Sequence, residues 1–155
     1  TVSDSFSGTL ASTSGYHGQR DTIEVYDPQG VENDYVVYYA DDQERTTTIY
    51  DRSCLEEKDQ YTVFFGGNHT RVDIETTNKE ERCLLVFKDS YANSFMQFLT
   101  PYFRKIILVD PRYYYEDVEQ LIASEGVTDV LFLYNLNTFL TDTSLGDVLA
   151  VQESE

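Results

Sequence analysis

The chain has 155 residues, of which 41% are hydrophobic and 14% aromatic, so it is long enough to bury one sizeable core. Its 11 Lys and Arg residues stand against 28 Asp and Glu residues, which gives a formal net charge of -17. A chain this acidic repels phosphate backbones and anionic lipid headgroups, so we expect neither nucleic acid nor a membrane surface as a direct partner. No apolar run approaches the roughly 20 residues that span a bilayer, and no signal peptide is visible.

The first 82 residues indicate loops and antiparallel strands. Residues 1–20 are rich in Ser, Thr and Gly and predict loop or extended chain. A turn is predicted at 27–30, where Pro and Gly follow Asp27. Alternating or β-rich runs predict five strands in this half, at 21–26, 35–40, 45–50, 61–65 and 71–76. The second and third of these strands are joined by four polar residues, which is typical of a hairpin.

The pattern changes at Cys83. Three short apolar runs, at 84–87, 106–109 and 130–134, are typical of strands that are buried on both faces. Helical periodicity at 91–103 and 114–125 separates these strands, a loop is predicted at 135–143, and a last short helix follows at 143–149.

The order β-α-β-α-β over 83–150 predicts parallel strands with right-handed crossovers. We therefore predict one α/β domain over 1–155, with a parallel C-terminal half and antiparallel strands in the N-terminal half. Two independent domains are disfavoured, because neither half alone could bury a sufficient core.

Ser90 lies at the predicted turn between the first parallel strand and the helix that follows it. Such a serine would sit at the carboxyl end of a parallel strand, where open α/β sheets bind ligands. Free N–H groups at the start of the helix would favour developing negative charge there. Spacing alone favours a simpler interpretation, in which Ser90 or Asp89 caps the helix.

Other polar residues are predicted to meet Ser90 at the same edge of the sheet. Gly67 N–H and the Asn68 amide are candidate oxyanion donors, although two adjacent glycines are by themselves more typical of a turn with positive φ. The spacing of Asp110 and Arg112 favours a structural ion pair at the end of the strand over a catalytic role for these residues. Further candidates for this edge are Asp89, His69, Asn135 and Arg112.

A hydrolytic serine also needs a base, and His17 and His69 are the only histidines. His17 lies in a Gly-rich stretch and His69 in a strand-end loop, so neither position is typical of a catalytic base. Cys54 and Cys83 are consistent with one disulfide or with two buried thiols. Neither cysteine belongs to a metal-ligand cluster, so we predict no metal and no cofactor.

The block 86–95, with Asp89, Ser90 and Tyr91 at its centre, resembles the nucleophile block of the DHHW proteins, an SGNH-hydrolase-like family. These are cell-surface proteins of Gram-positive bacteria that are related to the alginate O-acetylation proteins. The resemblance to that block continues at 98–103, and weaker resemblances lie at 6–10, 64–69, 110–113 and 131–135. The block commonly reads Gly-Asp-Ser-Tyr in that family, whereas this chain has Lys88 in the place of the glycine; that side chain could crowd the site or pair with Asp89.

The resemblance implies an SGNH-like three-layer fold in which Ser90 is the nucleophile. That family takes its catalytic Asp and His from an Asp-His-His-Trp block upstream of the serine, and this sequence contains neither that block nor any Trp. We therefore expect an incomplete SGNH-like domain, the C-terminal part of a longer protein, which would be inactive or nearly so alone. A membrane anchor, if the protein has one, would lie outside this chain.

The expected function is that of an O-acetyl esterase or acetyltransferase acting on an extracellular polysaccharide at a bacterial surface. The alternative is a non-catalytic surface module that binds glycan or protein, which the 13 tyrosines favour. A flavodoxin-like domain is a third possibility, but the acidic charge and the lack of a phosphate-cradling loop argue against FMN.

Overall fold

The computed structural model describes residues 1–15, 18–26 and 34–150. The predicted turn at 27–30 and the candidate base His17 lie outside the described residues. Along the chain the strands are β1 (Ser3–Phe6), β2 (Asp21–Ile23), β3 (Tyr35–Tyr39), β4 (Glu44–Thr46), β5 (Arg71–Thr76), β6 (Cys83–Lys88), β7 (Lys105–Val109) and β8 (Asp129–Leu133). The α-helices are α1 (Thr9–Ser14), α2 (Val118–Glu125), α3 (Leu136–Thr141) and α4 (Ser144–Leu149). Within the described ranges, three 3₁₀ segments span Arg52–Glu56, Gln60–Val63 and Ser90–Phe98.

A six-stranded mixed sheet with the order β4-β3-β5-β7-β6-β8 organises the fold. Strand β6 pairs in parallel with β7 on one side and with β8 on the other. Strands β3, β4 and β5 extend the sheet by antiparallel pairing, and β5 joins them to β7. The predicted α/β class is confirmed, with parallel strands in the C-terminal half and antiparallel strands before them.

Both faces of the β6–β7 pair are covered, which explains why these strands read as continuous apolar runs. On one face, Leu84 and Val86 belong to a buried cluster with Ala92 and Met96 of the third 3₁₀ segment. On the other face, Leu85 and Phe87 belong to a second cluster that includes Leu121 of α2. Strand β6 is thus held centrally, and the residues that follow it are fixed at the edge of the sheet.

Several elements differ from the sequence prediction. The predicted strand at 61–65 is instead a 3₁₀ segment, and only Phe64 forms an isolated bridge, with Tyr50. The predicted strand also could not have continued past Phe64, because Phe65, Gly66 and Gly67 all have positive φ.

Two connections are also more regular than predicted. The predicted loop after β8 contains α3, because the Asn135 side chain accepts a hydrogen bond from the N–H of Asn137 and so caps a helix. Residues 1–20 are predicted to be loop or extended chain; β1, which pairs with β2, agrees with this, whereas the short helix α1 does not. The helix predicted at 91–103 is a 3₁₀ segment that begins at Ser90 and ends at Phe98.

Within the described part of the chain, no helix has the length and apolar character needed to cross a membrane. Cys54 and Cys83 are both free thiols, and Cys83 is buried in the cluster on the α2 face of the sheet. Burial raises the pKa of the Cys83 thiol, which keeps it protonated and unreactive at neutral pH.

Candidate active site

Asp89 separates the end of β6 from Ser90, which begins the third 3₁₀ segment, so the chain leaves the sheet just before the serine. Its half-buried side chain lines a cleft of about 410 Å³. Gly67 and Asn68 line the same cleft, and the segments that face them include residues 6–9, 12–13, 58–59 and 61–62. The structure therefore brings Ser90 together with the two predicted oxyanion or substrate-binding residues.

Gly67 adopts φ +132, a conformation that L side chains rarely adopt. A Cβ at this position would meet its nearest neighbour, Thr62 Cγ2, at 4.0 Å, so conformation rather than space requires the glycine. The Gly67 carbonyl accepts a hydrogen bond of 3.4 Å from Asn93 Nδ2. This bond ties the glycine loop to the segment that carries Ser90.

Asp89 and Asn135 hold the ends of two parallel strands in register. The Asp89 carboxylate is buried, and its Oδ1 accepts a hydrogen bond of 3.0 Å from the N–H of Tyr91. Its Oδ2 accepts a second hydrogen bond, of 3.1 Å, from the N–H of Asn135. Asp89 thus caps the 3₁₀ segment, as in the simpler interpretation, and also ties the end of β6 to the start of α3.

Asp110 and Arg112 form the ion pair that their spacing predicts. The Asp110 side chain is 0% exposed, and Arg112 donates to it from Nε at 2.8 Å and from Nη2 at 2.6 Å. This two-point hydrogen bonding raises the pKa of the Arg112 guanidinium, which therefore stays charged. The pair is fixed at the carboxyl end of β7, one strand away from Ser90.

Lys88, which stands where the resembling Gly-Asp-Ser-Tyr block has its glycine, is only 3% exposed. Burial lowers its pKa to about 8, and the negative charge of Asp110 opposes part of that shift. Asp89 makes a smaller contribution of the same sign as Asp110. The sequence suggested Asp89 as the partner of Lys88, but the stronger electrostatic partner is Asp110.

His69 has partners at both ring nitrogens. Its Nδ1 lies 3.2 Å from Asp41 Oδ2, and its Nε2 lies 2.9 Å from the carbonyl oxygen of Phe65. The ring also packs against Tyr39, with 4.5 Å between ring centroids. Because each ring nitrogen already lies within hydrogen-bond distance of another protein group, His69 is not placed to take the proton of Ser90.

Two further cleft residues were not singled out from the sequence. Asn93 lines the cleft beside Ser90, three residues along the same segment. The Tyr61 hydroxyl donates to the carbonyl of Tyr91 at 2.9 Å and accepts from the N–H of Ser94 at 3.2 Å, which anchors that segment from the opposite wall. Within the ranges that the structure describes, no group of three or more His, Cys, Asp or Glu side chains could hold a metal ion.

No family model matches the chain, and no curated protein matches it. Solved structures do match, among them the crystal structure of a DHHW family protein from Eubacterium siraeum. The match has a TM-score of 0.74 and 28% identity, and it covers 91% of this chain and 48% of that one. The chain has the fold of a DHHW family protein. The resemblance that the Asp-Ser-Tyr block predicts is thereby confirmed.

Two structures of PatB1 from Bacillus cereus, one of them with a sulfonyl adduct, share the fold at TM-scores of 0.63 and 0.64. Their identities to this chain are 24% and 23%, so this likeness concerns the fold alone. The two matches cover 77% and 83% of this chain, and they cover 43% and 47% of the PatB1 chains. The chain thus spans about half the length of the solved structures it matches.

Proposed function

We propose that the full-length protein hydrolyses or transfers acetyl esters of a cell-surface or secreted polysaccharide, with Ser90 as an SGNH-type nucleophile. The observation that carries this proposal is the position of Ser90 in one cleft with Gly67 and Asn68 at the carboxyl end of a parallel strand. The DHHW-type fold supports it, because the family resemblance implies this chemistry for the serine.

In the proposed reaction, Ser90 Oγ attacks the carbonyl carbon of the acetyl ester. The bond between that carbon and the sugar oxygen breaks, and the serine proton passes through a base to the departing sugar oxygen. Water or a second sugar hydroxyl then attacks the acetyl-serine, releases the acetyl group and returns the proton to Ser90. Gly67 N–H and the Asn68 amide would stabilise the oxyanion in both steps.

The base is assigned to the Asp-His-His-Trp block of the full-length protein, which in the family precedes the nucleophile. Both ring nitrogens of His69 face acceptors, which makes that histidine a poor alternative. On this proposal the 155-residue chain alone would be inactive or nearly so, and the complete protein would act at or outside the bacterial surface.

The second candidate function is glycan binding without catalysis. Aromatic side chains on the outer side of the third 3₁₀ segment favour it: Phe98 lies 5.2 Å from Tyr26 and 6.1 Å from Phe95 between ring centroids. Tyr91, beside Ser90, is 64% exposed. Such rings stack on sugars. This function would be contradicted if the protein bound no glycan on a glycan array and also showed esterase activity.

Covalent labelling with phenylmethylsulfonyl fluoride tests the proposed nucleophile in the full-length protein. An activated serine hydroxyl displaces fluoride from the sulfonyl group and forms a sulfonate ester. We expect tandem mass spectrometry to place the sulfonyl group on Ser90, and we expect Ser90→Ala to remain unlabelled. Ser94→Ala is the matched control and should be labelled like the unaltered protein. Equal labelling of the Ser90→Ala variant and the unaltered protein would remove Ser90 from the mechanism.

A further inference from the structure

The Asn93 side chain carries a buried hydrogen-bond acceptor without a partner. The residue is 2% exposed, and its Oδ1 is one of two buried side-chain atoms that lack a hydrogen-bond partner among the described residues. The Gly67 carbonyl, which can only accept, bonds to Nδ2 and so fixes which end of the amide is oxygen. Buried polar atoms are rarely left unpaired, so Oδ1 calls for a hydrogen-bond donor from outside the described protein.

The 3₁₀ geometry aligns this acceptor with Ser90. A 3₁₀ segment has three residues per turn, so side chains three positions apart lie above one another. In an α-helix the same two side chains would be rotated by about 60° from each other. Asn93 and Met96 are buried at this spacing, and Ser90 and Asn93 both line the cleft. The Asn93 side chain, which carries the unpaired oxygen, is therefore the next one along the inner face after Ser90.

The chemistry of an acetyl ester limits what Oδ1 can bind. The acetyl group and the ester oxygen offer only acceptors, and these suit the N–H donors of Gly67 and Asn68. Donors occur only on the alcohol side of the ester, as neighbouring hydroxyls or as an acetamido N–H of the sugar. We infer that Asn93 is a specificity-determining residue, whose Oδ1 accepts a hydrogen bond from the sugar that carries the acetyl group. This inference rests on the proposed function.

The test compares two esters in the full-length protein. One is a mono-O-acetylated chito-oligosaccharide, which offers hydroxyl and N–H donors; the other is p-nitrophenyl acetate, whose alcohol side offers none. We expect Asn93→Leu, which keeps the side-chain size, to lower the ratio of kcat/KM for the sugar ester over the aryl ester on the order of 10-fold to 100-fold. Asn93→Asp keeps an acceptor oxygen but loses the Nδ2 donor to the Gly67 carbonyl, so it should lower the rate with both esters and retain most of the ratio. An equal fall for both esters in Asn93→Leu would overturn the inference, since it would show a merely structural role.

A second measurement uses the unaltered protein, so it does not depend on whether a variant folds. The unaltered protein should turn over the sugar ester with higher kcat/KM than deoxy analogues that lack single donors, and one donor should account for most of the difference. Equal values throughout the deoxy series would overturn the inference.

The Ser90→Ala variant distinguishes a failure of this inference from a failure of the proposed function. If Ser90→Ala is inactive on both esters, the proposed function stands even when the inference about Asn93 fails. If Ser90→Ala is as active as the unaltered protein, the proposed function and the inference both lose their basis.

Discussion

Replacing Ser90 with alanine should lower kcat for an acetylated sugar by about 10⁴-fold or more in the full-length protein. In the proposed reaction no acetyl-serine would form without Oγ, and only positioning and the N–H donors of the cleft would remain. The substitution removes one oxygen from a half-buried side chain, so the fold should persist and KM should change little. Acetate release measured under saturating substrate gives kcat for the two proteins.

Ser94→Ala is the matched control for this prediction. Ser94 lies on the same 3₁₀ segment, and its hydroxyl lies 3.2 Å from that of Tyr61. The control variant should keep kcat within about threefold of the unaltered protein, because losing one part-exposed hydrogen bond perturbs the segment only slightly. Comparable losses in the two variants would mean that the segment, and not the Ser90 hydroxyl, is what the reaction needs.

Replacing Asp110 with alanine should lower the free energy of unfolding by about 3 kcal/mol. Asp110 is wholly buried, and its removal leaves Arg112 and the buried Lys88 without the carboxylate that compensates their charges. The expected loss is at the low end for a broken buried ion pair because Arg112 is partly exposed. Urea unfolding at neutral pH measures it.

An exposed ion pair of similar geometry supplies the control. Asp129 accepts hydrogen bonds of 2.6 Å and 3.1 Å from Arg82, and both side chains are substantially exposed. Asp129→Ala should therefore destabilise the protein far less than Asp110→Ala. If the two variants lose the same stability, burial of the Asp110 carboxylate is not what makes it important.

The loss of stability in Asp110→Ala should also depend on pH. Lys88 has a pKa of about 8 in the folded protein, so the ammonium that needs Asp110 is present below that pH and is lost above it. The stabilisation that Lys88 gains from Asp110 is thus present below about pH 8 and declines as the pH rises through that value. In a Lys88→Met background the same substitution should be less harmful at neutral pH. A loss that is identical in both backgrounds would show that Lys88 and Asp110 are not coupled.

Much of the site's location could be predicted because it depends on local patterns. The apolar run of β6 followed by Asp89 and Ser90 indicates a strand and a turn, and the structure places the serine at that junction. The glycine pair predicts positive φ, and both Gly66 and Gly67 adopt it. These features depend on residues that are adjacent in the sequence, so a single chain is enough to recognise them.

The role proposed for Asn93 could not be predicted, because periods of 3.0 and 3.6 residues diverge little over a nine-residue segment. Only the coordinates show the 3₁₀ geometry that brings Asn93 into line with Ser90. The contacts of the His69 side chain could not be predicted from the sequence either. Its partner Asp41 is 28 residues away in the sequence, and their contact depends on how two separate loops meet in the fold.

Trapping the covalent intermediate tests the proposed nucleophile most directly. The full-length protein is acid-quenched during turnover of an acetylated sugar, and its peptides are then sequenced by tandem mass spectrometry. We expect one acetyl group on Ser90, absent from protein quenched without substrate. An acetyl group on another side chain, with Ser90 unmodified throughout turnover, would contradict the proposal.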